Sequence, residues 1–412
     1  MVDVVPFPCV RPHEDLVQDI AALPYDVFNR SEAKAEIAKH PRSFLSIDMP
    51  EATFDTDIDH NDDAVFERAR ELLDAAIERG DFISDATPHY YLYRLTNAEG
   101  HSQTGIVGCS SVDDYESNRI KKHEKTRADK EYNRIHHVDT TSAQTGPIFL
   151  AFRSSGVIEE IIRKNTFQPP LYDFVADDGV RHSVWRIDNA EDTACIKKSF
   201  LNTDSLYIAD GHHRAASAVK AGLMRREAAG NPSEAIEADH FLSVIFPSDQ
   251  LRILDYNRVV TDLSGLSSEE FFARIGERFD ITGPQAEPFK PSTKGSFGMF
   301  LNGSWYGLRI KESYLNDDPV EGLDVALLQN NLLEPVLSIE DPRTDKRIDF
   351  VGGIRGLGEL ERRVNEGMAV AFAMYPTSIE ELFDVADAGL LMPPKSTWFE
   401  PKLRSGIFIH RI

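Results

Sequence analysis

The segment SLYIADGHHRAASAVKAG, residues 205–222, decides how this chain is read. Leu206, Tyr207 and Ile208 form the end of a buried strand, and Asp210-Gly211 makes a turn. From His212 onward Ala215, Ala216, Ala218 and Val219 describe a closely packed helix. A strand that turns through glycine into a helix leaves backbone N–H groups free at the helix start, and these favour an anion. Gly211 lets a phosphate approach the backbone, while His213 and Arg214 add donors, with arginine able to grip phosphate in a bidentate way. Asp210 is then placed to hold a metal or to accept a proton from a hydroxyl nucleophile. Each piece alone is also ordinary construction, with Asp210 as a helix cap and Gly211 as a turn residue. Two adjacent histidines and an arginine at one junction are what point to an anion site.

Outward from this junction the chain alternates helical and strand patterns. Ser31 is a plausible cap for a helix that stops at Pro41, and FLSID (44–48) follows as a short strand. Residues 61–80 carry one apolar helical stripe from Val65 to Ile77. Hairpins are signalled at Asn97–Gly100, at Asp177-Asp178-Gly179 and at Asn302-Gly303. Helices are expected near 154–165, 190–200, 212–229, 267–279, 322–334, 357–366 and 378–388. Helices mixed with hairpins favour an α+β or mixed-sheet α/β class over a purely doubly wound parallel sheet. The 412 residues suggest two or three domains at roughly 150 residues each. The expected division is 1–262, which carries the junction, and 263–412, a C-terminal α/β region contributing a basic loop.

Composition narrows the function classes. With 41% hydrophobic and 27% charged residues the chain is globular, and no apolar run approaches the ~18 residues of a membrane span. The opening MVDVVPFPCV lacks the layout of a signal peptide, so a cytoplasmic location is expected. Cys9, Cys109 and Cys195 are far apart, without metal-ligand spacing, which argues against a disulfide framework or a zinc–thiolate site. The 45 basic against 68 acidic residues, net −23, oppose binding to nucleic acid or anionic lipid.

Basic residues nevertheless gather locally. The segment 120–137 holds Lys121, Lys122, Lys125, Arg127, Lys130 and Arg134, with His123, His136 and His137 among them. As a solvated helix it would make poor i,i+4 pairs, whereas concentrated positive charge suits nucleotide phosphates. Lys125, Thr126 and Arg127 are candidate phosphate contacts, and Glu124 is a candidate base or Mg²⁺ ligand. The C-terminal 390–412 places Lys395, Ser396, Thr397, Lys402, Arg404 and Ser405 on a non-helical stretch, with Trp398 and Phe399 either stacking on a base or packing. An acidic shell around basic clusters favours a small phosphate-bearing ligand over a polymer.

The order of PYDV (24–27), HEKT (123–126), GPIFL, YIADGHHR, DFVGG and MPPKSTWFEPKLRSG resembles a large bacterial and archaeal family of uncharacterised proteins, the domain-of-unknown-function family numbered ten-fifteen. The DGHHR segment in turn resembles the phosphate-binding junction of the ParB/sulfiredoxin-like fold, on Gly211, His212, His213 and Arg214. That likeness implies a ParB/sulfiredoxin-like core with an additional mixed-sheet domain, and a relation to free-serine kinases. The small residues Ala215, Ala216 and Ser217 stand where such relatives carry an aromatic and an acid. The implied activity is transfer of a phosphoryl group from ATP or ADP, with Mg²⁺, to free L-serine. Gly211–Arg214 would bind nucleotide phosphates with Lys395, Ser396, Thr397 and Arg404. Lys125 and Arg127 would neutralise the transferred group, and Asp210 or Glu124 would take the hydroxyl proton or hold the metal. Two alternatives stand beside it. One is a nucleotide-binding or nucleotide-hydrolysing switch protein; the other is a phosphatase in which His213 protonates the leaving group.

Overall fold

The computed structural model describes residues 1–126, 128–154 and 156–412. The chain divides into two compact units, Met1–Leu251 with Pro401–Ile412, and Arg252–Glu400. The boundary expected at 262 therefore falls earlier, and the last twelve residues return to the first unit. Pairing explains both. Strand Tyr256–Val260 bonds to Ile348–Gly352 and Val370–Ala373 of the second unit, whereas Ile409–Arg411 bonds to Cys9–Pro12 of the first.

The first unit is built on a nine-stranded mixed sheet. Its order runs Ile120–Lys121, Leu206–Asp210, Ile148–Phe152, His240–Pro247, Ser102–Ser111, Tyr90–Thr96, Arg181–Ile187, Tyr172–Val175, with Val4–Val5 added on Ser102–Ser111. Leu206–Asp210 is parallel to Ile120–Lys121 and antiparallel to Ile148–Phe152, so a mixed α/β class is what forms. A four-stranded sheet of Phe82–Ser84, Cys9–Pro12, Ile409–Arg411 and Ala143–Gln144 completes the unit. Helix His212–Ala228 lies over the main sheet on its small face, with Ala215, Ala218 and Val219 in the same core as Leu150, Ile208 and Ile245. Small residues are required there by close approach: a Cβ on Gly222 would come within 2.3 Å of the Ala238 carbonyl oxygen.

The second unit carries a six-stranded sheet in the order Phe279–Gln285, Ser304–Ile310, Ser296–Leu301, Val370–Ala373, Tyr256–Val260, Ile348–Gly352. Every pairing in it is antiparallel, where a mixed sheet is expected. Its hairpin turns at Asn302-Gly303 with both φ values positive, 51° and 74°, as a two-residue turn matched to strand twist demands.

Local readings hold with two exceptions. FLSID is not a strand but the short helix Leu45–Asp48, whose Leu45, Ile47 and Asp48 are all buried. Five residues without a clear period do not discriminate between the two states. The helix before it is capped by Asn29, not Ser31, because Asn29 and Glu32 close a reciprocal capping box. No helix among the described residues is long and apolar enough to cross a membrane.

Candidate functional site

Strand Leu206–Asp210 ends in a register shift against Ile148–Phe152, between Ile208 and Asp210. Such a bulge re-aims the last side chain. Gly211 follows at φ 92°, a left-handed conformation that reverses the chain into helix His212–Ala228. Its conformation and its contacts both demand glycine: a Cβ at 211 would stand 3.1 Å from Arg214 Nε and 3.2 Å from Cζ. No side chain caps this helix and its first turn holds no acid, so the leading N–H groups have no side-chain acceptor from the cap. Gly211→Ala is expected to cost about 1–3 kcal/mol through strain and displacement of Arg214, read as a lower Tm. An unchanged Tm would refute the account.

Arg214 Nη1 donates to the Pro147 carbonyl at 3.0 Å, and Nη2 lies 3.5 Å from Asp210 Oδ2. Its Nε is buried without a hydrogen-bond partner. Lys402 Nζ reaches the same Asp210 oxygen at 3.3 Å, across 192 residues of sequence. Burial alone would raise the Asp210 pKa, but the Lys402 and Arg214 charges outweigh it and hold the carboxyl well below the usual carboxylate range.

The next layer is imidazole. His212 is buried, and the His123 backbone N–H donates to its Nε2 at 3.5 Å. That leaves Nδ1 to carry the proton, 3.7 Å from Glu124 Oε2. The two rings stand edge to face at 4.4 Å. Burial pushes His123 down to about 4, and burial with His123 alongside pushes His212 well below its ordinary value. The pair is therefore neutral near pH 7 and cannot itself bind phosphate by charge.

The basic segment is tied to the helix through Glu131. That carboxylate accepts from the Thr126 hydroxyl and from Lys220 Nζ, and the Glu131 carbonyl accepts from Ser217 Oγ at 3.3 Å. Burial would raise the Glu131 pKa; these bonds, with the nearby charge of His213, lower it. Thr126 thus anchors the segment that brings Glu124 to His212. Lys125 is exposed beside it, and Arg127 lies outside the described residues.

The C-terminal residues expected as contacts divide between the two units. Arg404 belongs to the first unit, but its guanidinium is engaged by Asp178 and by His182 Nε2, 3.3 Å away. Lys395, Ser396 and Thr397 belong to the second unit. There Lys395 Nζ lies 5.6 Å from the Tyr256 ring centre, and Ser396 Oγ donates to the Pro393 carbonyl at 2.7 Å. Trp398 packs edge-on to Tyr256. The structure therefore brings Asp210, Gly211, His212, Arg214 and Glu124 together and adds Lys402. The cue for Lys402 in the sequence is only its place in a basic C-terminal stretch.

Among the described residues no group of three or more His, Cys, Asp or Glu could hold a metal ion. Asp210, flanked by two cations, is a poor ligand for a third. Glu124, with its side chain 53% exposed, fits an ion carried in by a phosphate ligand, since Mg²⁺ is commonly held by one or two carboxylates plus substrate oxygens.

Fold and junction together define a mixed α/β protein with a cation-flanked strand–glycine–helix turn. The chain belongs to the family described as Protein of unknown function (DUF1015), whose profile matches residues 4–326. Among solved structures it is similar to a free serine kinase in complex with AMP, at 16% identity over 72% of this chain and 90% of that one, with a TM-score of 0.35. It is also similar to a conserved hypothetical protein from Pyrococcus furiosus, at 14% identity over 72% and 92%, TM-score 0.33. A third is SbnI with a C-terminal truncation from Staphylococcus aureus, at 12% identity over 71% and 82%, TM-score 0.38. No curated protein matches the sequence.

Proposed function

We propose that the first unit binds a nucleotide, ATP or ADP, by its phosphates and transfers a phosphoryl group to a small hydroxyl compound, L-serine being the favoured acceptor. The observation that carries this reading is the Gly211 turn: a helix start without a side-chain cap or first-turn acid, beside Arg214, whose buried Nε has no partner. Gly211, His212 and His213 supply backbone N–H groups to the phosphates, and Arg214 and Lys402 supply charge. A bound phosphate competes for these two cations with Asp210, loosening their hold on the carboxylate. Asp210 then accepts the hydroxyl hydrogen as the acceptor oxygen bonds to phosphorus and the bond to the nucleotide oxygen breaks. A carboxylate held so acidic is a weak base, which suits a loose transition state that asks mainly for positioning. Mg²⁺, held by Glu124 and the nucleotide, would neutralise phosphate oxygens. Lys125 stands on the same segment for the transferred group.

The test is incubation of the protein with ATP or ADP, Mg²⁺ and L-serine, with detection of O-phosphoserine. No product with any amino acid, together with no nucleotide binding by calorimetry, would sink the reading. Nucleotide binding without transfer would favour a switch protein. Phosphate release from phosphoserine without added nucleotide would favour a hydrolase.

A further inference from the structure

Beside Arg214 the first unit forms a partly open cavity of about 40 Å³, lined among others by Tyr25, Asp48, Arg134, Thr145, Arg214 and Ser405. A single water needs roughly 10–15 Å³ on this measure. The space therefore suits about three heavy atoms.

Its lining carries two guanidiniums and one carboxylate. Arg134 is buried, and its hydrogen-bond partners among the described residues are all neutral: Nε and Nη2 donate to the Asn133 amide oxygen at 2.9 and 2.6 Å, and Nη1 donates to the Asp48 carbonyl at 3.1 Å. Its guanidinium also lies over the Tyr25 ring at 4.2 Å. Arg214 brings a second guanidinium; of the acids acting on it, Asp26, Asp210 and Asp48, only Asp48 lines the cavity, and Asp210 is shared with Lys402. The one buried carboxylate in the wall, Asp48, already accepts the Thr145 hydroxyl at 2.9 Å. With two guanidiniums and one carboxylate, already engaged, in its wall, the cavity favours an anion, and planar guanidiniums match the two oxygens of a carboxylate.

We infer that this cavity seats the carboxylate of the phosphoryl acceptor, with Arg134 and Arg214 as its specificity-determining residues. The inference rests on the kinase reading above, and Arg214 links the two, since it borders both the cavity and Asp210. An acceptor held here by its carboxylate directs a hydroxyl two carbons away, on the β-carbon of L-serine or C3 of D-glycerate, toward Asp210. Hydroxy acids and hydroxy amino acids are thus accepted, and simple amino alcohols are refused.

The experiment compares L-serine, D-glycerate and ethanolamine as acceptors, with ADP-induced thermal shift followed in parallel. Ethanolamine should be turned over at least 100-fold less efficiently than L-serine, because a buried site built for a polar group rejects the analogue lacking it. In Arg134→Gln the KM for L-serine should rise at least 100-fold, the preference over ethanolamine should collapse toward one, and the ADP shift should persist. Equal use of ethanolamine by the wild type would overturn the inference without any variant, which covers the case in which Arg134→Gln fails to fold. An unchanged KM in a folded Arg134→Gln would overturn it too. If no acceptor is phosphorylated, the kinase reading fails separately. The seat is then tested alone by the wild type's thermal shift with L-serine against ethanolamine: stabilisation by L-serine only supports it, and equal or absent stabilisation refutes it.

Discussion

Arg214→Ala should abolish nucleotide-induced stabilisation and reduce phosphoryl transfer by at least ~10³-fold, the lower end of what a charge-stabilising arginine contributes to such reactions. The expectation follows from how many things one side chain does. Its Nη1 is fixed on the Pro147 carbonyl, its Nη2 faces Asp210, and its guanidinium packs against Gly211 where a Cβ would collide. Truncation also leaves Asp210 to Lys402 alone and removes one of two cations from the cavity around Asp48. Breaking a buried charge arrangement typically costs about 3–5 kcal/mol, so thermal unfolding without ligand must be recorded beside the nucleotide titration. Arg214→Lys separates charge from shape: it keeps the cation and loses the fork, and should bind nucleotide weakly rather than not at all. A full nucleotide-induced shift in Arg214→Ala would show that the phosphate site lies elsewhere.

The second large effect is acid lability of the first unit. Burial holds His123 and His137 down to about 4 and, with Arg404 nearby, His182 down to about 3, while His212 lies well below its ordinary value. In the unfolded chain all four titrate near 6.5. Between about pH 4 and 6.5 the unfolded state thus binds more protons than the native one, so stability is complete above 6.5 and falls as pH falls through that window. One pH unit below 6.5 each of His123, His137 and His182 withdraws about 1.4 kcal/mol, and by pH 4 about 3 kcal/mol, and His212 acts in the same direction. Urea unfolding at pH 7.5, 6.5 and 5.5 reads this directly, and His123→Phe should reduce the slope by about one proton. Stability unchanged from pH 7.5 to 5.5 would contradict neutral burial of these rings.

What was legible in the sequence was what neighbours within about four residues dictate. Strand, glycine turn and small-faced helix at 206–228 follow from local pattern and the φ that only glycine adopts readily. The Asn302-Gly303 hairpin follows from the same kind of rule. Even local signals compete: Asn29 takes the cap from Ser31 because Glu32 answers it three residues on.

The members of the site that come from far along the chain had no such signal. Lys402 meets Asp210 only because Ile409–Arg411 returns to pair with Cys9–Pro12 and carries the C-terminus back into the first unit. Arg134, read as one of six cations in a basic run, turns inward over Tyr25, while Arg404 turns to Asp178 and His182. Formal charge along a sequence does not say which cations a fold will bury without an acid. That is settled by desolvation and by partners from distant strands, which exist only once the sheet has formed. Local pattern was enough to place the glycine turn and the uncapped helix start at Gly211. Which cations stand around it, and the cavity beside Arg214, depend on long-range pairing that no local pattern encodes.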